Sequence, residues 1–171
     1  MGGKISVESK KGEGSTFFVE LPVELTDKSY IQEQNYPVTN ANLRGVKILM
    51  AEDNDLNAEI ALVQLEELGI NVTRVSDGSE AVSTFLEHPK DTFDMIFMDI
   101  MMPTMNGYEA TEAIRSSSER TDARTIPIIA MTANAFAEDV QASLDAGMNG
   151  HIAKPIVIEE VVKTIARNLD R

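Results

Sequence analysis

The chain has 171 residues, 43% hydrophobic and 25% charged, with 28 acidic against 15 basic side chains and a formal net charge of −13. That length holds one ordinary domain and a small extra piece, and the composition is that of a soluble globular protein. Disulfides and cysteine–metal sites are excluded because there is no cysteine, and no apolar run reaches the roughly 18 residues a spanning helix needs.

The acidity is uneven. Residues 1–45 carry 6 acids and 5 bases, whereas residues 46–171 carry 22 acids and 10 bases. So acidic a second part repels nucleic-acid phosphates and favours basic or dicationic partners. The start, Met1-Gly2-Gly3-Lys4, is not that of a signal peptide. With no cysteine, the expected compartment is the cytoplasm, with no membrane contact by this segment even if a parent chain is anchored.

KISVES (4–9) alternates apolar and polar residues, KKGEG (10–14) is turn chemistry, and STFFVELPVEL (15–25) is again extended, so residues 1–25 read as a β-hairpin. Its apolar face is Ile5, Val7, Phe17, Val19 and Leu21. A lone hairpin is marginal in water, so this piece reads as an orphan of something larger. Residues 26–45 are polar and aperiodic and read as a linker.

From residue 46 the pattern changes. VKILMA (46–51) is a buried strand. Leu56, Ile60, Val63 and Ala61, Leu65, Leu68 fall at helical spacings, and Gly69 stops that helix. NVTRVS (71–76) is a strand, and Asp77 caps a helix holding Ala81, Val82, Phe85 and Leu86. FDMIFM (93–98) is a strand, and a helix follows Gly107. IPIIAM (126–131) is a strand, and residues 135–147 are a helix ended by Gly147. HIA (151–153) is a short strand, and Ile158, Val161, Val162, Ile165 and Leu169 stripe the last helix.

Five strand-then-helix units, four with continuous apolar strands, predict an α/β fold with a doubly wound parallel sheet and helices on both faces. Ligands of such sheets bind at the carboxyl ends of the strands. Those ends carry Ala51-Glu52-Asp53, Asp99, Met131-Thr132 and Lys154-Pro155. Each residue alone is ordinarily a solvated or capping group, but their joint occurrence at four strand ends points to a site. Three acids held together repel, which calls for a dication. Oxygen ligands with open water positions suit Mg²⁺ better than zinc. Lys154 suits a phosphoryl oxygen or Asp99 itself, and Thr132 can donate to the same oxygen. Asp99 is therefore a candidate nucleophile toward a phosphoryl group. Met95, Met98, Met101, Met102 and Met105 read as packing residues, not a thioether metal site.

Glu52-Asp53-Asn54, Asp99 within MDIMMP, Met105 and Gly107, MTAN at 131–134, and Lys154-Pro155 together resemble a response-regulator receiver domain over residues 46–171. EDNDLNAEI (52–60) and MDIMMPTMNG (98–107) look most like receivers of hybrid sensor histidine kinases. The resemblance implies a flavodoxin-like sheet of order 2-1-3-4-5, and makes Asp99 the phosphoacceptor of a phosphorelay. It also implies Mg²⁺, with Mn²⁺ as a substitute, held directly by Asp53 and Asp99, by Glu52 through water and by the Met101 carbonyl. Thr132 and Lys154 would contact the phosphoryl group, and the Lys154–Pro155 peptide would be cis. Thr132 and the residue at His151 would form the switch. Most receivers carry an aromatic residue at that place; a histidine changes charge near neutral pH. The implied partners are a kinase core bearing phosphohistidine and a downstream histidine phosphotransfer domain or response regulator.

Residues 2–22 resemble the last strands of a histidine-kinase ATP-binding domain, without its asparagine-bearing helix or its Asp-containing glycine loop. Gly12-Glu13-Gly14 reads as a hairpin turn, not a phosphate loop. The expectation is a piece of a hybrid protein-histidine kinase with only self-phosphorylation chemistry of its own. Two other readings stand beside it. An Asp-nucleophile phosphatase would place a second acid two residues after the nucleophile, where this chain has Met101. A binding module that kept only the fold would have lost part of the acid, threonine and lysine set, and none is missing.

Overall fold

The computed structural model describes residues 2–12, 14–22, 43–133 and 137–169, which fall into two compact units. The first is an antiparallel hairpin of β1 (Lys4–Lys10) and β2 (Gly14–Glu20). Its register sets Ile5 opposite Val19 and Val7 opposite Phe17. The two-residue period of a strand puts all four on one face, and all four are exposed. The extended pattern ends at Glu20, and residues 23–25 of the predicted hairpin lie outside the described residues.

The second unit runs β3 (Lys47–Ala51), α1 (Asp55–Glu67), β4 (Asn71–Val75), α2 (Gly78–Glu87), β5 (Met95–Asp99), α3 (Gly107–Ser116), β6 (Ile128–Thr132), α4 (Ala137–Asp145), β7 (Gly150–Ala153) and α5 (Ile158–Leu169). The five strands pair in parallel in the order β4-β3-β5-β6-β7. This is the flavodoxin-like order 2-1-3-4-5 expected from the sequence.

The continuous apolar strands separate into two sets by parity. Leu49, Ala51, Ile96, Met98, Ile128 and Ala130 pack with Phe85 of α2 and Ile114 of α3. Ile48, Met50, Met95, Phe97, Ile129 and Met131 pack with Leu65 of α1 and Ile165 of α5. Both sheet faces are covered, which is why no polar residue interrupts the central strands β3, β5 and β6 between their ends. Each large side chain so buried contributes about 1.5–3 kcal/mol.

Several boundaries differ from the sequence reading. β5 begins at Met95 and includes Asp99 as its last residue. β6 begins at Ile128, after Pro127, which has no N–H to offer the ladder. The core also starts earlier than residue 46: Leu43 is 3% exposed, and its carbonyl accepts from the Val46 amide at 3.2 Å. The end of the predicted linker thus belongs to the folded unit.

Caps fix where the helices start. Asp77 accepts from the Glu80 amide, as its sequence position implies. Asn54 accepts from the Asn57 amide. Asn106 and Glu109 form a reciprocal capping box at α3. In α1 only one apolar row turns inward: Ala58, Ala61 and Leu65 are buried, whereas Leu56, Ile60 and Val63 are exposed.

Candidate functional site

Strand parity assembles the rim. Ile48 and Met50 belong to the face covered by α1 and α5, and Glu52 is next in that phase beyond β3. Met95 and Phe97 share that face, and Asp99 completes their strand. Ile152 does so on β7, followed in phase by Lys154. One buried face therefore ends in two acids and a base at the carboxyl edge of three strands.

The side chains meet. The Lys154 ammonium lies 2.7 Å from Asp99 Oδ2 and 2.5 Å from Glu52 Oε2. Asp99 Oδ1 accepts from the Met101 amide at 3.1 Å. The other oxygen of Glu52, Oε1, accepts from the Asn57 amide nitrogen Nδ2 at 3.1 Å and from the Asn54 backbone at 3.4 Å. Glu52 and Asp99 are buried and Asp53 is exposed. Ligand oxygens of the three lie within 4.8 Å of one another.

Burial is the largest influence on Asp99 and raises its pKa; the Lys154 hydrogen bond and charge and the Met101 amide act in the opposite direction. The donor set is purely oxygen, two acids with little water and one facing solvent, which fits a hard dication such as Mg²⁺. Glu52, with both oxygens engaged by protein donors, suits contact through water, and Asp53 has the freer carboxylate.

The neighbouring loops hold this geometry. A Cβ on Gly107 would stand 2.2 Å from the Asp99 carbonyl oxygen, so only glycine allows α3 to start against the end of β5. Its amide donates to Ile100 O at 3.0 Å. Thr132 is buried at the end of β6, whose register pairs Met131 with Asp99. Its carbonyl accepts from the Lys154 amide at 2.7 Å. The Lys154–Pro155 peptide is cis. The Met101 side chain is 80% exposed beside the site. His151 is exposed on β7 opposite Ala130. Parallel partners share a face, so Thr132 and His151 project from the same side of the sheet. Asn134, and residues 135 and 136 of the predicted helix, lie outside the described residues.

The sequence reading missed two contributors, Asn57 and Arg74. Asn57 is visible only in its spacing after the helix-capping Asn54. Arg74, whose guanidinium donates to the Glu52 carbonyl at 3.0 Å, carries no motif: it is an alternating residue of a half-exposed strand. Gly107 stands within the matched motif and just ahead of the predicted helix, but its close approach to the Asp99 backbone is a tertiary fact.

Residues 48–166 match the description of the response regulator receiver domain. The chain belongs to that family. The autoinducer 2 sensor kinase/phosphatase LuxQ of Vibrio vulnificus is 38% identical over 164 residues, covering 93% of this chain and 18% of its own length. The sensor protein GacS of Pseudomonas syringae is 32% identical over 124 residues, 72% of this chain and 13% of its own. The chain thus spans less than a fifth of these relatives. Among solved structures, the receiver domain of a Pseudomonas aeruginosa sensor histidine kinase, with a magnesium ion coordinated in its active site cleft, is 38% identical with a TM-score of 0.66, covering 74% of this chain and 99% of that one. The receiver domain of Ssk1 from Saccharomyces cerevisiae, crystallised with the histidine phosphotransfer protein Ypd1, is 26% identical with a TM-score of 0.64, over 74% of this chain and 90% of the matched one. The receiver fold is therefore shared with the receiver domains of sensor histidine kinases. No helix among the described residues is long and apolar enough to cross a membrane.

Proposed function

We propose that this receiver accepts a phosphoryl group from a phosphohistidine onto Asp99 and passes it to a histidine phosphotransfer partner, or loses it to water, within a two-component phosphorelay. The observation that carries this reading is the buried Asp99 carboxylate held by Lys154 at 2.7 Å beside Glu52 and Asp53. In the transfer, an Asp99 oxygen forms a bond to phosphorus as the phosphorus–nitrogen bond of the donor breaks. The electron pair returns to the imidazole nitrogen. Lys154 and the Thr132 hydroxyl bind oxygens of the transferring group, and the Met101 amide orients Asp99. Asp53, Asp99, the Met101 carbonyl and, through water, Glu52 would hold Mg²⁺ or Mn²⁺, which when bound offsets negative charge on the transferring oxygens.

Thr132 and His151, on one sheet face, form the pair through which phosphorylation alters the outer surface. The donor is a kinase core, and the acceptor a phosphotransfer domain or response regulator. Their docking region is the exposed row Leu56, Ile60 and Val63 of α1. It adjoins a pocket whose lining joins Ile60 and Ala61 to Lys154, Pro155 and Ile156, so a helix seated there would lie beside Lys154, the residue that contacts Asp99. Residues 1–25 are read as the end of a kinase ATP-binding domain and 46–171 as receiver, with the end of the 26–45 linker, at Leu43, packed into the receiver core. The parent would be a protein-histidine kinase working from the cytoplasm.

The phosphatase reading lacks its acid, since the second residue after Asp99 is methionine. Incubation with acetyl phosphate and Mg²⁺, followed by intact mass, tests the proposal. The expected result is one added phosphoryl group, absent in Asp99→Ala and without Mg²⁺. Unchanged mass in the wild type would leave a binding module that retains only the fold.

A further inference from the structure

The two peptides that flank Glu52 are both gripped from β4. The Glu52 amide donates to Val75 O at 3.1 Å. The Glu52 carbonyl accepts two N–H groups of Arg74, from Nη2 at 3.0 Å and Nε at 3.3 Å. Arg74 Nη2 also reaches Asp55 Oδ1 at 2.6 Å. Arg74 shares its strand phase with Val72, which packs on the α1 side of the sheet, so its side chain lies under the start of that helix. Asp55 is 91% exposed, and an exposed ion pair contributes little. The weight of the contact falls on the carbonyl.

A peptide is planar, so fixing the Glu52 carbonyl also fixes the Asp53 N–H and the direction in which Asp53 leaves the chain. A planar guanidinium that closes two donors on one oxygen restrains that plane better than a single ammonium donor does. We infer that Arg74 is a positioning residue for the acidic loop, holding the Glu52–Asp53 peptide so that Asp53 faces the divalent cation. The inference rests on the reading of Glu52, Asp53 and Asp99 as an Mg²⁺ site.

The sign of one measurement separates this role from simple charge. A cation near three carboxylates opposes a dication through space. If charge were all Arg74 supplied, Arg74→Gln would bind Mg²⁺ more tightly and Arg74→Lys would be unchanged. If Arg74 positions the loop, both bind more weakly, glutamine by about tenfold, the low end for groups that orient metal ligands, and lysine by less.

The experiment is calorimetric titration of the whole chain with Mg²⁺ for wild type, Arg74→Gln, Arg74→Lys and Asp53→Ala. Hydrogen exchange of the metal-free proteins, the readout independent of metal, is followed at residues 52–54. The expected result is faster exchange there in both Arg74 variants, with the sheet interior unchanged and weaker Mg²⁺ binding. Tighter binding in Arg74→Gln, equal binding in Arg74→Lys, or unaltered exchange at 52–54 would overturn the inference while leaving the metal site standing. Wild type that takes up no Mg²⁺, like Asp53→Ala, would overturn the metal reading and this one with it. Should Arg74→Gln fail to fold, the lysine variant alone decides.

Discussion

The Lys154 ammonium bridges Asp99 and Glu52, at 2.7 and 2.5 Å, with all three side chains largely withdrawn from water. It is the cation that lets two buried acids coexist beside a third. Removing it leaves both carboxylates without their counter-charge. Lys154→Met is expected to cost about 3 kcal/mol of stability without metal, the scale for breaking a buried pair from one side. Mg²⁺ should recover part of that loss by mass action and bind more tightly than in wild type, while phosphorylation by acetyl phosphate falls. Urea unfolding with and without Mg²⁺ checks the first two outcomes and intact mass the third.

At the other end of the sheet a second buried cation is held differently. Arg120 donates to Phe85 O at 2.6 Å, to His88 O at 2.9 Å and to Asp122 Oδ1 at 2.9 Å, and stacks 3.9 Å over the Phe85 ring. The Arg120 hydrogen bond holds the Asp122 carboxyl below its ordinary value of 3.8. A depressed acid stabilises the fold above its unfolded pKa, and the contribution is lost as pH falls through the folded one. Asp122→Asn should therefore lower stability at neutral pH, through the loss of a charge-assisted hydrogen bond. The gap to wild type should narrow only below pH 3.8. Denaturant midpoints from pH 7 downward measure it.

Much of this was legible because the chemistry sits where the pattern stops. A parallel strand buried on both faces has no reason to carry a charge, so Asp99 after Met95–Met98 and Lys154 after Ile152 stand out. What was not legible depends on contacts between elements. Two apolar rows on α1 have the same period, and only packing decides that Ala58, Ala61 and Leu65 turn inward while Leu56, Ile60 and Val63 face out. Arg74 is one more charged residue on an edge strand until β3 brings the Glu52 carbonyl within 3.0 Å of it. Leu43 sits in a polar stretch that reads as linker, and only its burial assigns it to the core.

Gly107 is expected to be the least replaceable glycine of the described loops. Its virtual Cβ meets backbone, the Asp99 carbonyl at 2.2 Å, and no side chain can swing aside. Gly107→Ala should cost about 2–4 kcal/mol, as for a steric clash in a packed interior, and shift β5 at its Asp99 end. Gly45→Ala, at φ +82 with open space around it, should cost only about 1 kcal/mol. Thermal unfolding of the two variants gives the comparison.

Met101 bears on the lifetime of the phosphorylated state. Its side chain is exposed beside Asp99 and offers no general base for an attacking water. The expected phosphoaspartate is long-lived, as a transfer intermediate requires. Met101→Asp puts a carboxylate along that approach. It should speed hydrolysis by about tenfold or more, below the usual ceiling for a positioned general base. Decay of the phosphorylated mass over time measures this. Loss from the wild type within seconds, or no change in the variant, would contradict it.

The row Leu56, Ile60 and Val63 separates recognition from chemistry. These residues are exposed and none contributes an atom to the acid–lysine cluster. Ile60→Glu puts a charge where a partner helix would bury apolar surface, and adds like charge to an already acidic domain. Such a change at the centre of an interface typically costs about 2 kcal/mol or more, roughly thirtyfold in affinity. Transfer from a phosphorylated histidine protein should drop accordingly. Labelling by acetyl phosphate, a donor too small to need that surface, should stay within about twofold of wild type. Equal loss with both donors would mean that Ile60 supports the site itself. Equal retention with both would move the docking surface off α1.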